Sequence, residues 1–87
     1  SYNSLSKIDL SYNQINSIHQ ETFTHNRFPQ LKYLNLKGNQ FKSVDYIQNQ
    51  MFSQLNELWV DDDQNLRQQI EDAKSQEIEI KVKVFYV

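Results

Sequence analysis

Apolar and polar residues recur along this chain at one fixed spacing. The stretches LSKIDLSYNQINSI and LKYLNLKGNQFKSV, which begin at Leu5 and Leu31, carry apolar residues at the same positions. They also share an asparagine at the same place, Asn13 in the first and Asn39 in the second. A third stretch, LNELWVDDDQN, keeps the first three apolar positions but has Asp63 where the asparagine would be. A period of about two dozen residues indicates a unit that buries its apolar residues by stacking on its neighbours.

The segments that follow these copies have helix or strand patterns of their own. The segment SVDYIQNQMFSQ, residues 43–54, has its apolar residues at helical spacing, which predicts a short helix. The segment NLRQQIEDAKS, residues 65–75, also has its apolar residues on one helical face, with Asn65 as the predicted N-cap. In the segment EIEIKVKVFYV, residues 77–87, one set of apolar residues alternates with charged residues and Phe85, which predicts a strand.

The two complete copies resemble the leucine-rich repeat family, whose signature is L-x-x-L-x-L-x-x-N-x-L. The resemblance implies an α/β fold, a fragment of a right-handed solenoid with short parallel strands on its concave face and helical or irregular convex arcs. We expect one domain over residues 1–87, ended by a C-terminal helix and a capping strand, residues 77–87. Its repeats would span about 5–30, 31–54 and 55–75. We also expect further repeats before Ser1, or cover for that end from outside this chain.

The same resemblance implies a structural role for the asparagine of each copy. Asn13 and Asn39 would turn the chain out of the sheet, because an amide side chain both donates and accepts hydrogen bonds and so satisfies backbone groups at the turn. Asp63 takes the third position of this ladder, where a carboxylate accepts but cannot donate. Gly38, just before Asn39, would relieve crowding of the backbone at the turn.

Side chains between the inward-pointing leucines would project from the concave face, the usual binding surface of the family. The candidate partner-binding residues there are Lys7, Asp9, Ser11, Tyr33, Asn35, Lys37, Glu57, Trp59 and Asp61. Tyr33 and Trp59 are the candidate anchors, because Tyr and Trp dominate binding hot spots. Trp59 has a second interpretation, in which it packs under the terminal segment or along a neighbouring lysine.

Two functions follow from this architecture. The first is recognition of a protein ligand by the concave face, with little entropy lost on binding because the strands already hold the side chains. The second is assembly through the C-terminal strand, which two copies could pair antiparallel about Ile80 to give a homodimer. The facing charges would be Glu77 with Lys83 and Glu79 with Lys81. The same charges could instead protect an edge strand against aggregation.

Composition argues against several other classes. The net charge of −2 gives no reason to expect nucleic acid, and no apolar run approaches the roughly 20 residues that span a bilayer. With no cysteine and a single glycine, the chain has neither a thiolate metal site nor a phosphate-binding loop. Since no nucleophile and base can be paired, we predict no enzyme activity and no cofactor.

Histidines and consecutive acids are the remaining candidates for metal binding. His19 and His25 have no suitably spaced partners, so they are interpreted as surface residues and no metal site is assigned. The run DDD, residues 61–63, could offer oxygens to calcium but lacks the alternating spacing of a calcium loop. A solvated acidic turn and a weak cation site therefore both stay open.

Two finer resemblances bear on localisation. The segment INSIHQETF, residues 15–23, is similar to the extracellular "typical" subclass of leucine-rich repeats. The Asn-, Gln- and Tyr-rich copies are similar to insect immune leucine-rich repeat proteins, which bind complement-like partners. The first resemblance implies a secreted protein and the second implies a role in innate immunity, while receptor ectodomains and matrix proteins are open as well. The lack of cysteine favours a reducing, cytoplasmic compartment instead.

Overall fold

The structure, a computed structural model, describes residues 4–19, 22–47, 49–76 and 81–87. The strands of this part are β1 (Lys7–Asp9), β2 (Tyr33–Asn35), β3 (Glu57–Val60) and β4 (Lys83–Tyr86). Its helices are α1 (Asn49–Gln54) and α2 (Gln64–Lys74). Strands β1, β2 and β3 lie near the starts of the three sequence copies, and the helices lie in the connections that lead to β3 and β4.

These strands form one parallel sheet in the order β1-β2-β3-β4. The register aligns their apolar residues, because Leu34 of β2 pairs with Ile8 of β1 and with Leu58 of β3. Leu58 in turn pairs with Val84 of β4. The predicted α/β class with short parallel strands is confirmed, whereas closure as a right-handed solenoid stays a prediction.

The core contains the apolar side chains of the sheet and of the segments that connect its strands. Its buried members are Phe23, Phe28, Leu31, Leu34, Leu36, Phe41, Val44, Tyr46, Ile47, Met51, Phe52, Leu55, Leu58, Val60, Leu66, Ile70 and Val82. The first copy is less well covered, since Ile8, Leu10 and Ile15 are only partly buried. Among the described residues, strand β1 has a strand neighbour on one side only, which is β2.

Asn39 fastens the second copy to the first. Its Nδ2 donates to the carbonyl oxygens of Leu10 and Leu36, both at 2.9 Å, and its Oδ1 accepts from the N–H of Ile15 at 3.2 Å. Asn13 donates to the same Leu10 oxygen at 2.9 Å. The two asparagine side chains therefore meet at one carbonyl, and the two turns lie next to each other in the stack.

The residue before each asparagine has a left-handed backbone, with φ of 56° at Tyr12 and 76° at Gly38. The two residues are also neighbours in space, because a Cβ added at Gly38 would overlap Cδ1 of the Tyr12 ring. The glycine is thus needed both for its backbone conformation and for the space that the tyrosine ring occupies.

Two glutamine side chains bridge neighbouring copies through backbone groups. Nε2 of Gln54 donates to the carbonyl oxygens of Phe28 and Leu31, at 2.6 and 2.9 Å. Oε1 of Gln69 accepts from the N–H of Val44 at 2.9 Å. Because these connections are irregular, their backbone groups need side-chain partners in place of a helix or sheet ladder.

The start of α2 corrects the prediction from the sequence, since Asn65 is not its N-cap. Asp63 has the extended backbone of a cap, and its Oδ1 accepts from the N–H of Leu66 at 3.1 Å. A carboxylate at this position also suits the positive end of the helix. Asp63, predicted as the third member of the asparagine ladder, therefore caps a helix.

Within residues 81–87, strand β4 covers Lys83–Tyr86 of the strand predicted over 77–87. Residues 77–80 lie outside the described part, so the prediction stays open there. The core side of β4 is anchored by Tyr86, whose ring centroid is 4.1 Å from Cζ of Arg67 in α2. The same guanidinium pairs with Asp62 at 2.8 Å. These contacts hold β4 against the beginning of α2.

Candidate functional site

Strand alternation places one set of side chains in the core and the other on the opposite side of the sheet, here called the polar face. In β2, for example, Leu34 is fully buried while its neighbour Tyr33 is partly exposed. The polar face consists of Lys7, Asp9, Tyr33, Asn35, Glu57, Trp59, Lys83 and Phe85, with Ser11, Lys37 and Asp61 just after the strands. The residues predicted to bind a partner therefore lie on one side of the sheet, although Asn35 is buried there beneath its neighbours.

A stacked pair of aromatic rings on this face joins β3 and β4. The rings of Trp59 and Phe85 stack with centroids 4.3 Å apart and an angle of 15° between their planes. Nζ of Lys37 lies 5.2 Å from the Trp59 ring centroid. Trp59 thus packs both against the terminal strand and beside a lysine, the two contacts that its second interpretation offered. It is still only partly buried, so an exposed part of the indole faces solvent.

Tyr12 extends this contact towards β1. Its ring centroid is 5.4 Å from Nζ of Lys37, and 75% of the residue is exposed. A continuous row of contacts, here called the aromatic row, therefore joins Tyr12, Lys37, Trp59 and Phe85. Neither end of this row is among the residues predicted to bind a partner, although the sequence contains a signal for each. Tyr12 aligns with Gly38 at the turn, and Phe85 alternates with the C-terminal lysines.

Tyr33 forms a second aromatic site beside the row. Nζ of Lys7 lies 4.7 Å from its ring centroid, and its hydroxyl accepts a hydrogen bond from Nδ2 of Asn35 at 3.2 Å. Oδ1 of Asn35 accepts from the N–H of Lys37 at 3.2 Å. Asn35 is 4% exposed, so it acts as a support that fixes Tyr33 and the start of the Lys37 segment.

The carboxylates of the polar face already have donors. Oδ1 of Asp61 accepts from the N–H of Gly38 at 2.8 Å, and Oε1 of Glu57 accepts from Nε1 of Trp59 at 3.4 Å. Asp9 accepts from the hydroxyl and the N–H of Ser11, at 2.6 and 2.9 Å. These two hydrogen bonds hold the pKa of the Asp9 carboxyl below its ordinary value.

A shallow cavity of about 420 Å³ opens at the β4 end of the face. Its lining residues are Asn56, Glu57, Lys81, Lys83 and Phe85. Lys81 and Lys83 are exposed, whereas Phe85 is partly buried. Of the predicted dimer edge, Lys81 and Lys83 are thus accessible, and Glu77 and Glu79 lie outside the described residues.

The acidic run is not assembled into a site. Asp61 bonds Gly38, Asp62 pairs with Arg67, and Asp63 caps α2, so each carboxylate has a different partner. His25 contacts Oε1 of Gln54 through Nδ1 at 2.7 Å. Within the described ranges, no group of three acidic or histidine side chains could hold a metal ion. Neither helix of that part has the length and apolar character needed to cross a membrane.

The chain was compared with models of known families. A family model described as leucine rich repeat matches residues 3–61, which include both complete copies and strands β1 to β3. Comparison with curated proteins and with solved structures gave no match.

Proposed function

The chain belongs to the leucine-rich repeat family, and we propose that it is a recognition module that binds a polypeptide through the polar face. Protein interaction is the general role that the family suggests, and its members are generally not enzymes. In a right-handed solenoid of this family the polar face is the concave surface, on which the strands present adjacent side chains to a partner. We accordingly assign the chain a binding function without catalysis.

The aromatic row is the observation that carries this proposal. Trp59 and Tyr12 offer partly exposed rings, and Trp and Tyr are the residues that most often dominate protein interfaces. Lys37 lies between them, within 5.2 and 5.4 Å of their centroids. Because these contacts exist before any partner arrives, little ordering of side chains is required on binding.

Selection from a random-peptide display library tests the proposal. Peptides that bind the chain should lose about tenfold or more in affinity when Tyr33→Ala and Lys37→Ala are combined, because both contacts are on the polar face. The matched control is Asn26→Ala with Gln50→Ala, two exposed polar residues away from that face. Selected peptides that are insensitive to the first pair but sensitive to the control pair would contradict the proposal.

A second candidate function rests on the position of β4 at the end of the sheet. In the described part, β4 has a strand neighbour on one side only, and Lys81 and Lys83 at its start are exposed. Two copies could pair there to form a homodimer, with the facing charges predicted from the sequence. Light scattering at high concentration should then give a dimer that Lys81→Glu with Lys83→Glu dissociates. A monomeric wild-type chain under those conditions would exclude this function.

We also propose that the module acts outside the cell, as part of a secreted, adhesion or immune receptor protein. The support is the similarity of residues 15–23 to the extracellular subclass of the family. An antibody against the chain should label intact cells that express the full gene, or their medium. Labelling only after the cells are permeabilised would contradict an extracellular location.

A further inference from the structure

We propose that the edge of β1 that faces away from β2, here called the outer edge, pairs with the outer edge of a second copy of this chain, antiparallel about Ile8. This surface is separate from the polar face and from the β4 edge. Three features support it: apolar side chains of the first copy that are incompletely buried, backbone groups that point away from β2, and a charge pattern that complements itself.

The first copy buries its apolar residues less completely than the second. Leu5 is 38% exposed, whereas its counterpart Leu31 is fully buried. The same difference holds at the other apolar positions, which in the first copy are only partly buried: Ile8, Leu10, Ile15 and Ile18. Strand β2 has neighbours on both sides, whereas β1 has β2 alone among the described residues. A further apolar neighbour at the outer edge would therefore remove these side chains from water.

The backbone of β1 presents hydrogen-bonding groups at the outer edge. The carbonyl oxygen of Ser6 accepts from an N–H of β2 at 3.1 Å, and the N–H of Leu10 donates to an oxygen of β2 at 2.9 Å. Successive residues of a strand direct these groups to opposite edges of the strand. Because Ser6 and Leu10 direct theirs to β2, Lys7 and Asp9 direct theirs to the outer edge, where another strand can pair with them.

Antiparallel pairing about Ile8 matches these groups. It places Lys7 of one copy opposite Asp9 of the other, on both sides of a two-fold axis, and each such pair can exchange N–H···O bonds in both directions. The two Ile8 side chains then face each other on the core side of the joined sheet, where they are already partly buried. The two polar faces lie on the same side of one continuous sheet.

The charges of β1 favour this arrangement. Opposite residues of an antiparallel pair have Cβ atoms about 4.5–5.5 Å apart, so each Lys7 can reach the Asp9 carboxylate of the other copy. Within one copy the two side chains attract each other but do not come within 4.0 Å. Oδ1 of Asp9 accepts from Ser11, which leaves Oδ2 for the lysine of the other copy.

Head-to-tail stacking of copies is less favourable. The register runs from Lys7 through Tyr33 and Glu57 to Lys83. A β4 strand added parallel to β1 in the same register would therefore place Lys83 beside Lys7, and like charges on neighbouring strands are destabilising. Head-to-tail contacts also generate open filaments unless they close into a ring, whereas pairing of two outer edges gives a closed dimer.

Charge exchange followed by native mass spectrometry tests the pairing. The wild-type chain should form a dimer at high concentration. Lys7→Asp and Asp9→Lys should each raise its dissociation constant about tenfold or more, because each places like charges opposite each other. An equimolar mixture of the two variants should form a heterodimer, in which every cross-strand pair is again opposite in charge. Lys42→Asp alters an exposed lysine away from β1 and should leave the dimer intact.

A cysteine at the two-fold axis gives an independent readout if circular dichroism shows that a charge variant does not fold. Opposite residues in a non-hydrogen-bonded antiparallel pair have Cα atoms about 4.5 Å apart, which is within disulfide range. Because the chain has no cysteine of its own, Ile8→Cys should oxidise to a covalent dimer. The control, Lys42→Cys, should oxidise more slowly. Equal rates would overturn the inference.

Three other outcomes would also overturn it. A wild-type chain that stays monomeric would mean that the outer edge does not bind a second copy and is left to a strand of another protein. A dimer that Lys81→Glu with Lys83→Glu dissociates, but Lys7→Asp does not, would place the contact at β4. Folded charge variants that stay monomeric when mixed would exclude the antiparallel register. Peptide binding by the polar face is measured separately and does not depend on these results.

Discussion

At the scale of single residues, the polar face depends on side chains that are held by their neighbours. Lys37 lies near the rings of Tyr12 and Trp59, and Phe85 stacks on the indole. A side chain restrained in this way loses less conformational entropy on binding than a free one. Substitutions in these contacts should therefore act on binding, whereas substitutions at the asparagine turns should act on stability.

The two turn asparagines should differ in their contribution to stability. Asn39→Ala removes hydrogen bonds to Leu10, Leu36 and Ile15 and should lower the free energy of unfolding by about 1–3 kcal/mol. Asn13→Ala should cost less, because Asn13 is exposed and water can replace its bonds. Urea unfolding followed by circular dichroism measures both. Equal losses would mean that the bonds between copies add nothing.

Tyr46 should make the fold sensitive to alkaline pH. Its ring is buried, its hydroxyl has no hydrogen-bond partner among the described residues, and burial, with smaller effects from Asp45 and Asp61, raises its pKa above the ordinary value near 10. Above pH 10 the unfolded state therefore loses this proton first. The native state binds more protons, so the free energy of unfolding should fall as pH rises.

Tyr46→Phe provides the measurement for this prediction. In the variant, the free energy of unfolding should fall less steeply above pH 10 than in the wild type. Part of the fall should persist, because burial also raises the pKa of Tyr86. At neutral pH the free energy of unfolding of the variant should be within about 1 kcal/mol of the wild-type value, because the lost hydroxyl has no partner among the described residues. An unchanged pH profile in urea unfolding would contradict the assignment.

At the scale of elements, the positions of the strands follow from the apolar spacing of the sequence, whereas the start of α2 depends on one side-chain hydrogen bond. The apolar spacing of each copy is enough to place β1, β2 and β3, because a short strand in a stack needs little more than its inward-pointing residues. The start of α2 depends instead on which of several polar residues reaches a free backbone N–H. Asp63 does so at 3.1 Å.

A pair of substitutions tests this helix start. Asp63→Ala should lower the free energy of unfolding by about 1 kcal/mol, because it removes the cap of the Leu66 N–H. Asn65→Ala, at an exposed position inside the helix, should change stability little. Thermal unfolding compares the two variants with the wild type. A larger effect at Asn65 would restore the cap predicted from the sequence.

The same contrast explains how much of the candidate site could be predicted. The repeat spacing placed Tyr33, Trp59 and Lys37 on one surface, because alternation along a strand follows from the sequence. The stacking of Phe85 on Trp59 could not be predicted, since it requires the register of β4 on β3 and the ring orientations. Tyr12 was missed because a turn residue has no strand pattern to reveal its direction.

At the scale of the whole molecule, the proposed binding surface depends on one sheet that all the copies share. The polar face exists because each copy adds a parallel strand in the same register, and β4 extends that face beyond the three copies visible in the sequence. If β4 were elsewhere, Trp59 would lose its stacking partner and the cavity near Phe85 would lose most of its lining. The position of β4 is therefore the feature on which the Phe85 end of the aromatic row depends.

Engineered disulfides test this register most directly, since the chain has no cysteine of its own. Glu57→Cys with Lys83→Cys joins register partners on neighbouring strands, which are about 4.8 Å apart and within disulfide range. Glu57→Cys with Lys81→Cys is the control, because Lys81 lies two residues before the register partner of Glu57 and outside β4. Thiol titration and mass spectrometry should find rapid intramolecular oxidation of the first pair only. Faster oxidation of the second pair, or none of the first, would contradict the account.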